Sequence, residues 1–191
     1  MNAIWQMWDK VLSDDLCDQI ITECEYYKVH DATVGSNNTG AAINKTVRSS
    51  TIRWVEPTDV NSKFIHDILF DYAMQANRKT FGFNISSLHQ IQYTVYDGEE
   101  QDFYDWHFDT FWANSSQYDR KISITIQLSD PKNYEGGEFQ FDPQYIQPNS
   151  TQLKNRGTVI AFPSFIRHCV KPVTKGVRKS LVAWIEGAKF K

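Results

Sequence analysis

The chain has 191 residues, 41% hydrophobic and 23% charged, with a formal net charge of -3. That balance excludes a disordered chain, no stretch approaches the roughly 20 apolar residues of a membrane span, and a pI near 5.9 leaves no basic footprint for nucleic acid. The length suits a single domain over residues 1–191, with a helical N-terminal part to about residue 84 and a β core from about residue 85.

The opening MNAIWQMWDK lacks the basic-then-apolar pattern of a secretory signal, so the expected compartment is cytoplasmic, with no membrane partner. Three cysteines are an odd count. Cys17 and Cys24 fall seven apart in a predicted helix, about 10.5 Å along its axis, and read as free thiols. Asn-X-Ser/Thr sequons begin at Asn37, Asn44, Asn84, Asn114 and Asn149 and read as Asn-rich loops rather than glycosylation sites.

Ser13 is a helix N-cap for DDLCDQIITECEYY, where Leu16, Ile20, Ile21 and Cys24 recur at helical spacing and Asp14 and Asp15 suit the helix dipole. The next stretch, DATVGSNNTGAAINKTVRSS, is polar and aperiodic and reads as a long loop, of the kind that forms lids or substrate arms. TIRWV is a strand, and VNSKFIHDILFDYAMQANRK is a second helix with a stripe at Val60, Phe64, Ile68, Leu69, Tyr72 and Ala76. From Ile85 onward, short apolar runs between Gly, Pro, Asn and Asp turns predict strands. ISITIQL alternates and predicts one buried face, whereas GTVIAF and SLVAWIEG predict strands covered on both sides. The fold class is therefore mainly β with buttressing helices (α+β), an antiparallel sandwich or barrel.

YDWHFDTFW raises the question of chemistry. Residues two apart on a strand share a face, so His107 and Asp109 can converge while Phe108 points away. His30 and His66 read as surface residues, and His89 has no visible partner. His168 follows an apolar strand about sixty residues later, in FPSFIRHCVKP, where a returning strand can lie beside the first. Two histidines and a carboxylate form a facial triad with open positions, which suits ferrous iron, and the same donors suit a zinc hydrolase. Arg178 and Ser180 in VRKSLVAW share another strand face and can grip one carboxylate, the guanidinium bidentately. Cys169 faces away from the ligands as a packing residue, and Gly136 and Gly137 serve turn geometry.

The run HCVKPVTKGVRKS, from His168 to Ser180, resembles the C-terminal signature of the PKHD-type hydroxylases, prolyl/lysyl hydroxylase-like members of the Fe(II)/2-oxoglutarate oxygenases. YDGEEQDFYDWHFD and YEGGEFQF resemble the family's tyrosine, turn and His-X-Asp, and its Gly-Gly-Glu turn. The resemblance runs from about Ile91 to Ile185. It implies a double-stranded β-helix (jelly-roll, cupin-like) and His107, Asp109 and His168 as both catalytic and iron ligands. It further implies Arg178 on the distal carboxylate of 2-oxoglutarate, aided by Ser180, and Tyr96 as a phenol donor, with Tyr93 and Tyr104 as substitutes. The implied reaction uses O2 to hydroxylate a C–H bond of a prolyl or lysyl residue in a peptide or protein, releasing succinate and CO2, with ascorbate as reductant. Asp109 favours hydroxylation, because related halogenases replace this carboxylate to admit halide.

Trp106 and Phe108 read as packing aromatics, while Phe111, Trp112, Arg53 and Trp54 are the substrate-groove candidates. The alternatives are a 2-oxoglutarate hydroxylase of a small molecule or nucleobase, and a metal-binding jelly-roll module without turnover. The nucleic-acid demethylase branch carries a second arginine six residues after the first, where this chain has Trp184. The sequence is silent on oligomeric state.

Overall fold

The computed structural model describes residues 4–35, 42–56, 58–112 and 115–190. In chain order the elements are β1 (Gln6–Trp8), α1 (Asp14–Glu25), β2 (Val29–Asp31), β3 (Arg48–Ser49), β4 (Thr51–Val55), α2 (Lys63–Ala76), β5 (Ser87–Asp97), β6 (Phe103–His107), β7 (Tyr118–Gln127), β8 (Tyr134–Gly136), β9 (Phe139–Phe141), α3 (Ser150–Lys154), β10 (Val159–Pro163), β11 (His168–Val170) and β12 (Val173–Ala188). The larger sheet runs β1-β10-β7-β12-β5-β4-β2, with β8 paired to β12, and the smaller runs β3-β6-β11-β9. All pairings are antiparallel. This is the expected mainly β, jelly-roll architecture, a double-stranded β-helix.

Strand alternation decides which side of the larger sheet is apolar. Ile91 and Tyr93 of β5, Ile122, Ile124 and Ile126 of β7, and Leu181, Ala183 and Ile185 of β12 face α1 and α2, packing against Ile20, Cys24, Ile65, Leu69 and Ala73. The intervening residues turn the other way, toward the smaller sheet, and they are mostly polar. The alternation of ISITIQL was expected to leave its polar face in solvent. Instead Ser123 and Gln127 are buried and Thr125 lines an internal cavity. Both faces of β7 are covered, and the polar one lines a site.

Ser13 caps α1 as its type predicts, accepting a hydrogen bond from the Leu16 N–H. The second helix starts at Lys63, later than the apolar stripe suggests. Asp59 accepts from the Asn61 N–H at 3.0 Å and the Ser62 hydroxyl donates to the Glu56 carbonyl at 2.6 Å, so this segment closes a turn before the helix. Val60 is consequently 82% exposed, and the buried stripe is Ile65, Leu69, Ala73 and Ala76. The N-terminal part is not only helical, since β1, β2, β3 and β4 extend both sheets.

The polar stretch after α1 carries β3 at its end, and its centre at 36–41, with Asn37, lies outside the described residues, as does Asn114. The three cysteines are buried and free. Among the described residues no helix is long and apolar enough to cross a membrane.

Two substitutions separate the observed stripe from the one read in the sequence. Leu69→Ala opens a cavity and lowers unfolding free energy by about 2–5 kcal/mol, whereas Val60→Ala stays within about 0.5 kcal/mol of the parent. Denaturant unfolding followed by circular dichroism measures both.

Candidate metal and carboxylate site

The pairing of β6 with β11 sets His107 directly opposite His168. Their rings approach to 4.2 Å between centroids. Asp109 reaches them from outside regular structure: β6 ends at His107, and the N–H groups of Asp109 and Thr110 both donate to the Ser164 carbonyl, at 2.9 and 3.2 Å. The expectation that His107 and Asp109 share a strand face is thus corrected. A turn tied to Ser164 brings Asp109 in, and Phe108, expected to point away, is 49% exposed at the cavity mouth. The result is a cluster whose ligand atoms all lie within 4.8 Å of one another. His107 Nε2 lies 3.7 Å from Asp109 Oδ1, and His168 Nε2 lies 3.5 Å from Oδ2.

Hydrogen bonds behind these residues prepare them for a cation. His107 Nδ1 lies 2.7 Å from the Asp105 carbonyl and His168 Nδ1 2.8 Å from the Ile166 carbonyl. A carbonyl only accepts, so both rings carry the proton on Nδ1 and turn an Nε2 lone pair inward. Burial and the neighbouring His168 push the His107 pKa down to about 3, keeping that lone pair free. Burial alone would raise the Asp109 carboxyl, but His168, His107, Arg120 and the Ser123 hydroxyl bring it below the usual carboxylate range. Ser123 donates to Asp109 Oδ2 at 2.6 Å, which spends its proton, so the Ser164 hydroxyl 3.0 Å away donates to Ser123. This chain of hydroxyls holds Oδ2 and leaves Oδ1 for a metal. Two imidazoles and one carboxylate on one side of an open cavity fit a divalent ion with vacant coordination positions.

The cavity is about 780 Å³ and continues from the triad to Arg178, Ser180 and Tyr96. Arg178 is buried on β12 opposite Tyr96 on β5. It is held by a 3.4 Å hydrogen bond from Nη1 to Ser180 Oγ, with its guanidinium carbon 5.3 Å from the Tyr96 ring centre. Gly137 makes the space: its φ of +65° suits glycine, and an added Cβ would stand 2.8 Å from Arg178 Cδ. Burial pushes the Tyr96 phenol up against the opposing pull of Arg48 and Arg178, keeping it a donor. Of the substitute tyrosines, Tyr93 is on the opposite face of β5 and its hydroxyl donates to Glu25 at 3.2 Å. Tyr104 lies in the cavity, stacked on the His107 ring at 3.4 Å.

The groove candidates divide. Trp54 and Phe111 line the cavity. Arg53 does not: adjacent residues on β4 face opposite ways, and its Nε donates to the Tyr27 carbonyl at 3.0 Å on the helix side. Trp112 is 61% exposed, against Phe190 and away from the cavity lining. Trp106 sits between Arg167 and Lys171, within 5.4 Å of each. His89, unplaced by the sequence, is in β5 and lines the cavity rim.

Four contributors carried little sequence signal. Ser123 stands 14 residues along the chain from the Asp109 it bonds, and Ser164 a further 41. Tyr134 accepts from Gln127 Nε2 at 3.0 Å beside Arg178, leaving its phenol proton free to donate. Arg120 from β7 also lines the cavity, with its guanidinium carbon 3.8 Å from the Trp184 ring centre and Nη2 donating to Gln90 Oε1 at 2.9 Å.

A family model described as the 2OG-Fe(II) oxygenase superfamily matches residues 91–186, just over half of the chain. A PKHD-type hydroxylase from Synechococcus sp. (strain CC9902) is 40% identical over 88 residues, which is 46% of this chain and 38% of that protein. Another from Synechococcus sp. (strain CC9311) is 28% identical over 183 residues, 95% of this chain and 76% of that protein. Among solved structures, a Pseudomonas putida prolyl-4-hydroxylase superposes with a TM-score of 0.73 at 18% identity, covering 98% of this chain and 95% of that one. A Trichoplax adhaerens prolyl hydroxylase in complex with a hypoxia inducible factor peptide fragment gives 0.74 at 14% identity, covering 96% and 84%. At such identities these structures show a shared fold.

Ser123→Ala removes the hydrogen bond that orients Asp109. Divalent metal affinity, titrated with Mn(II) by calorimetry, is expected to fall about 10- to 100-fold while the protein remains folded.

Proposed function

The chain belongs to the 2OG-Fe(II) oxygenase superfamily, and from that premise we propose that it is an Fe(II)- and 2-oxoglutarate-dependent dioxygenase hydroxylating a prolyl or lysyl residue in a peptide or protein. One observation carries this reading: a single cavity joins the open His107–Asp109–His168 donor set to a buried Arg178 that forms no salt bridge with a carboxylate among the described residues. A buried guanidinium is costly without an anion, and 2-oxoglutarate supplies a carboxylate at that end and a chelating group at the other.

When bound, iron and 2-oxoglutarate supply the activation of O2 that oxidises a C–H bond, with succinate and CO2 as co-products. His107, Asp109 and His168 would hold the metal, their ligand atoms facing the cavity. Arg178 would hold the distal carboxylate, with Ser180 on the same strand face as a second donor. Tyr96, protonated and lining the cavity, would donate its phenol hydrogen to the co-substrate.

At the mouth, Trp54, Phe108 and Phe111 offer apolar faces to an extended peptide, and the peptide bound to the Trichoplax adhaerens hydroxylase supports a substrate of that kind. Buried free thiols suit a cytoplasmic setting, and ascorbate serves as reductant.

Purified protein given Fe(II), ascorbate, 2-oxoglutarate and O2 is expected to form succinate slowly even without substrate, and His107→Ala none. Arg178→Ala is expected to raise the KM for 2-oxoglutarate roughly 30-fold or more, about 2 kcal/mol or more of lost binding. Succinate no higher from wild type than from His107→Ala would point to a metal-binding module without turnover, and an unchanged KM in Arg178→Ala would contradict the carboxylate role of that residue.

A further inference from the structure

The cavity contains a second buried guanidinium that the proposed reaction does not use. Arg48, on β3, is 6% exposed and lines the cavity. Its only side-chain hydrogen bond among the described residues runs from Nε to Ser50 Oγ at 3.1 Å, and no Asp or Glu of those residues forms a salt bridge with it. The stretch 36–41, SNNTGA, contains no acid that could do so. A cation taken out of water without a counter-charge is destabilising, so such a residue is expected to meet an anion that arrives with a ligand.

Its position indicates which ligand. Arg48 pairs in register with Tyr104, and its guanidinium carbon stands 4.4 Å over that ring. The Tyr104 ring is itself stacked on His107 at 3.4 Å, with planes 9° apart. Two groups that close cannot share one face of a ring, so Tyr104 is sandwiched and Arg48 stands a full ring thickness outward from His107. An anionic group held there is separated from any metal on the triad. Arg178 already answers the distal carboxylate of the co-substrate, and the other carboxylate belongs with the metal. The primary substrate remains as the source.

We propose that Arg48 is a specificity-determining residue that binds a carboxylate carried by the primary substrate, close to the carbon that is oxidised. This inference rests on the proposed function and adds to it the substrate's chemistry: an acid, either a free C-terminal carboxylate or an acidic side chain beside the target residue. Ser50, two residues on, is too short and uncharged to compete for the guanidinium, which leaves the Nη pair for bidentate recognition.

The test is an anaerobic calorimetric titration of the full chain loaded with Mn(II) and saturated with 2-oxoglutarate. One arm compares N-acetyl-L-proline with its amide, and the other acetyl-Glu-Pro-amide with acetyl-Gln-Pro-amide. In at least one arm wild type is expected to prefer the acid roughly tenfold or more, and the arm that does so identifies the source of the carboxylate. Arg48→Met is expected to abolish the preference and Arg48→Lys to retain part of it, with 2-oxoglutarate binding in each variant reporting that the site is intact. Acid and amide binding alike, or neither binding, in both arms overturns the inference, as does weakened 2-oxoglutarate binding in place of lost acid preference. Wild type that binds no 2-oxoglutarate overturns the proposed function, and this inference with it.

Discussion

The site depends first on the register between β6 and β11. Antiparallel pairing places His107 against His168, and a slip of one residue would turn one imidazole to the outer face. The neighbouring strands secure that register on both sides: β9 pairs with β11 and β3 with β6. Asp109 then needs only one local constraint, the bonds from its own N–H and that of Thr110 to the Ser164 carbonyl. Two histidines on paired strands and a carboxylate on an anchored turn make a rigid donor set without any flexible segment.

The larger sheet supplies the other constraint by inverting the usual arrangement of a half-buried strand. Its apolar face is sealed by α1 and α2, so its polar face is free to line a cavity. Helices on one side thus permit Ser123, Gln92, Ser180 and Arg178 to be buried on the other. The charges follow the same logic. Arg178 and Arg48 are both buried without a salt bridge to a carboxylate among the described residues, at different places along one cavity. Folding has already desolvated these cations, so carboxylate ligands meet preorganised donors rather than hydrated side chains.

Much of this was readable from residue type and spacing. The α1 cap at Ser13, the strands and the candidacy of His107, Asp109, His168 and Arg178 all rest on local pattern, where alternation and capping are physically decisive. What stayed illegible was set by tertiary contact. Alternation in ISITIQL showed two unlike faces but could not show that the polar one meets a cavity rather than solvent. The turn that brings in Asp109 depends on Ser164, far along the chain, and the direction of Arg53 depends on which face of β4 the helices cover. Arg48 lay in a polar stretch read as loop, and only its pairing with Tyr104 brings it inside.

The central claim is that one cavity binds a metal at the triad and 2-oxoglutarate between that metal and Arg178. Anaerobic visible spectroscopy of the Fe(II)-loaded protein tests it directly, because a 2-oxo acid chelated to Fe(II) produces a charge-transfer band that neither gives alone. The account predicts that the band appears on adding 2-oxoglutarate to wild type, and that Arg178→Ala requires far more 2-oxoglutarate to reach the same intensity. No band in wild type that has bound one equivalent of Fe(II), or identical titrations for the two proteins, would contradict it.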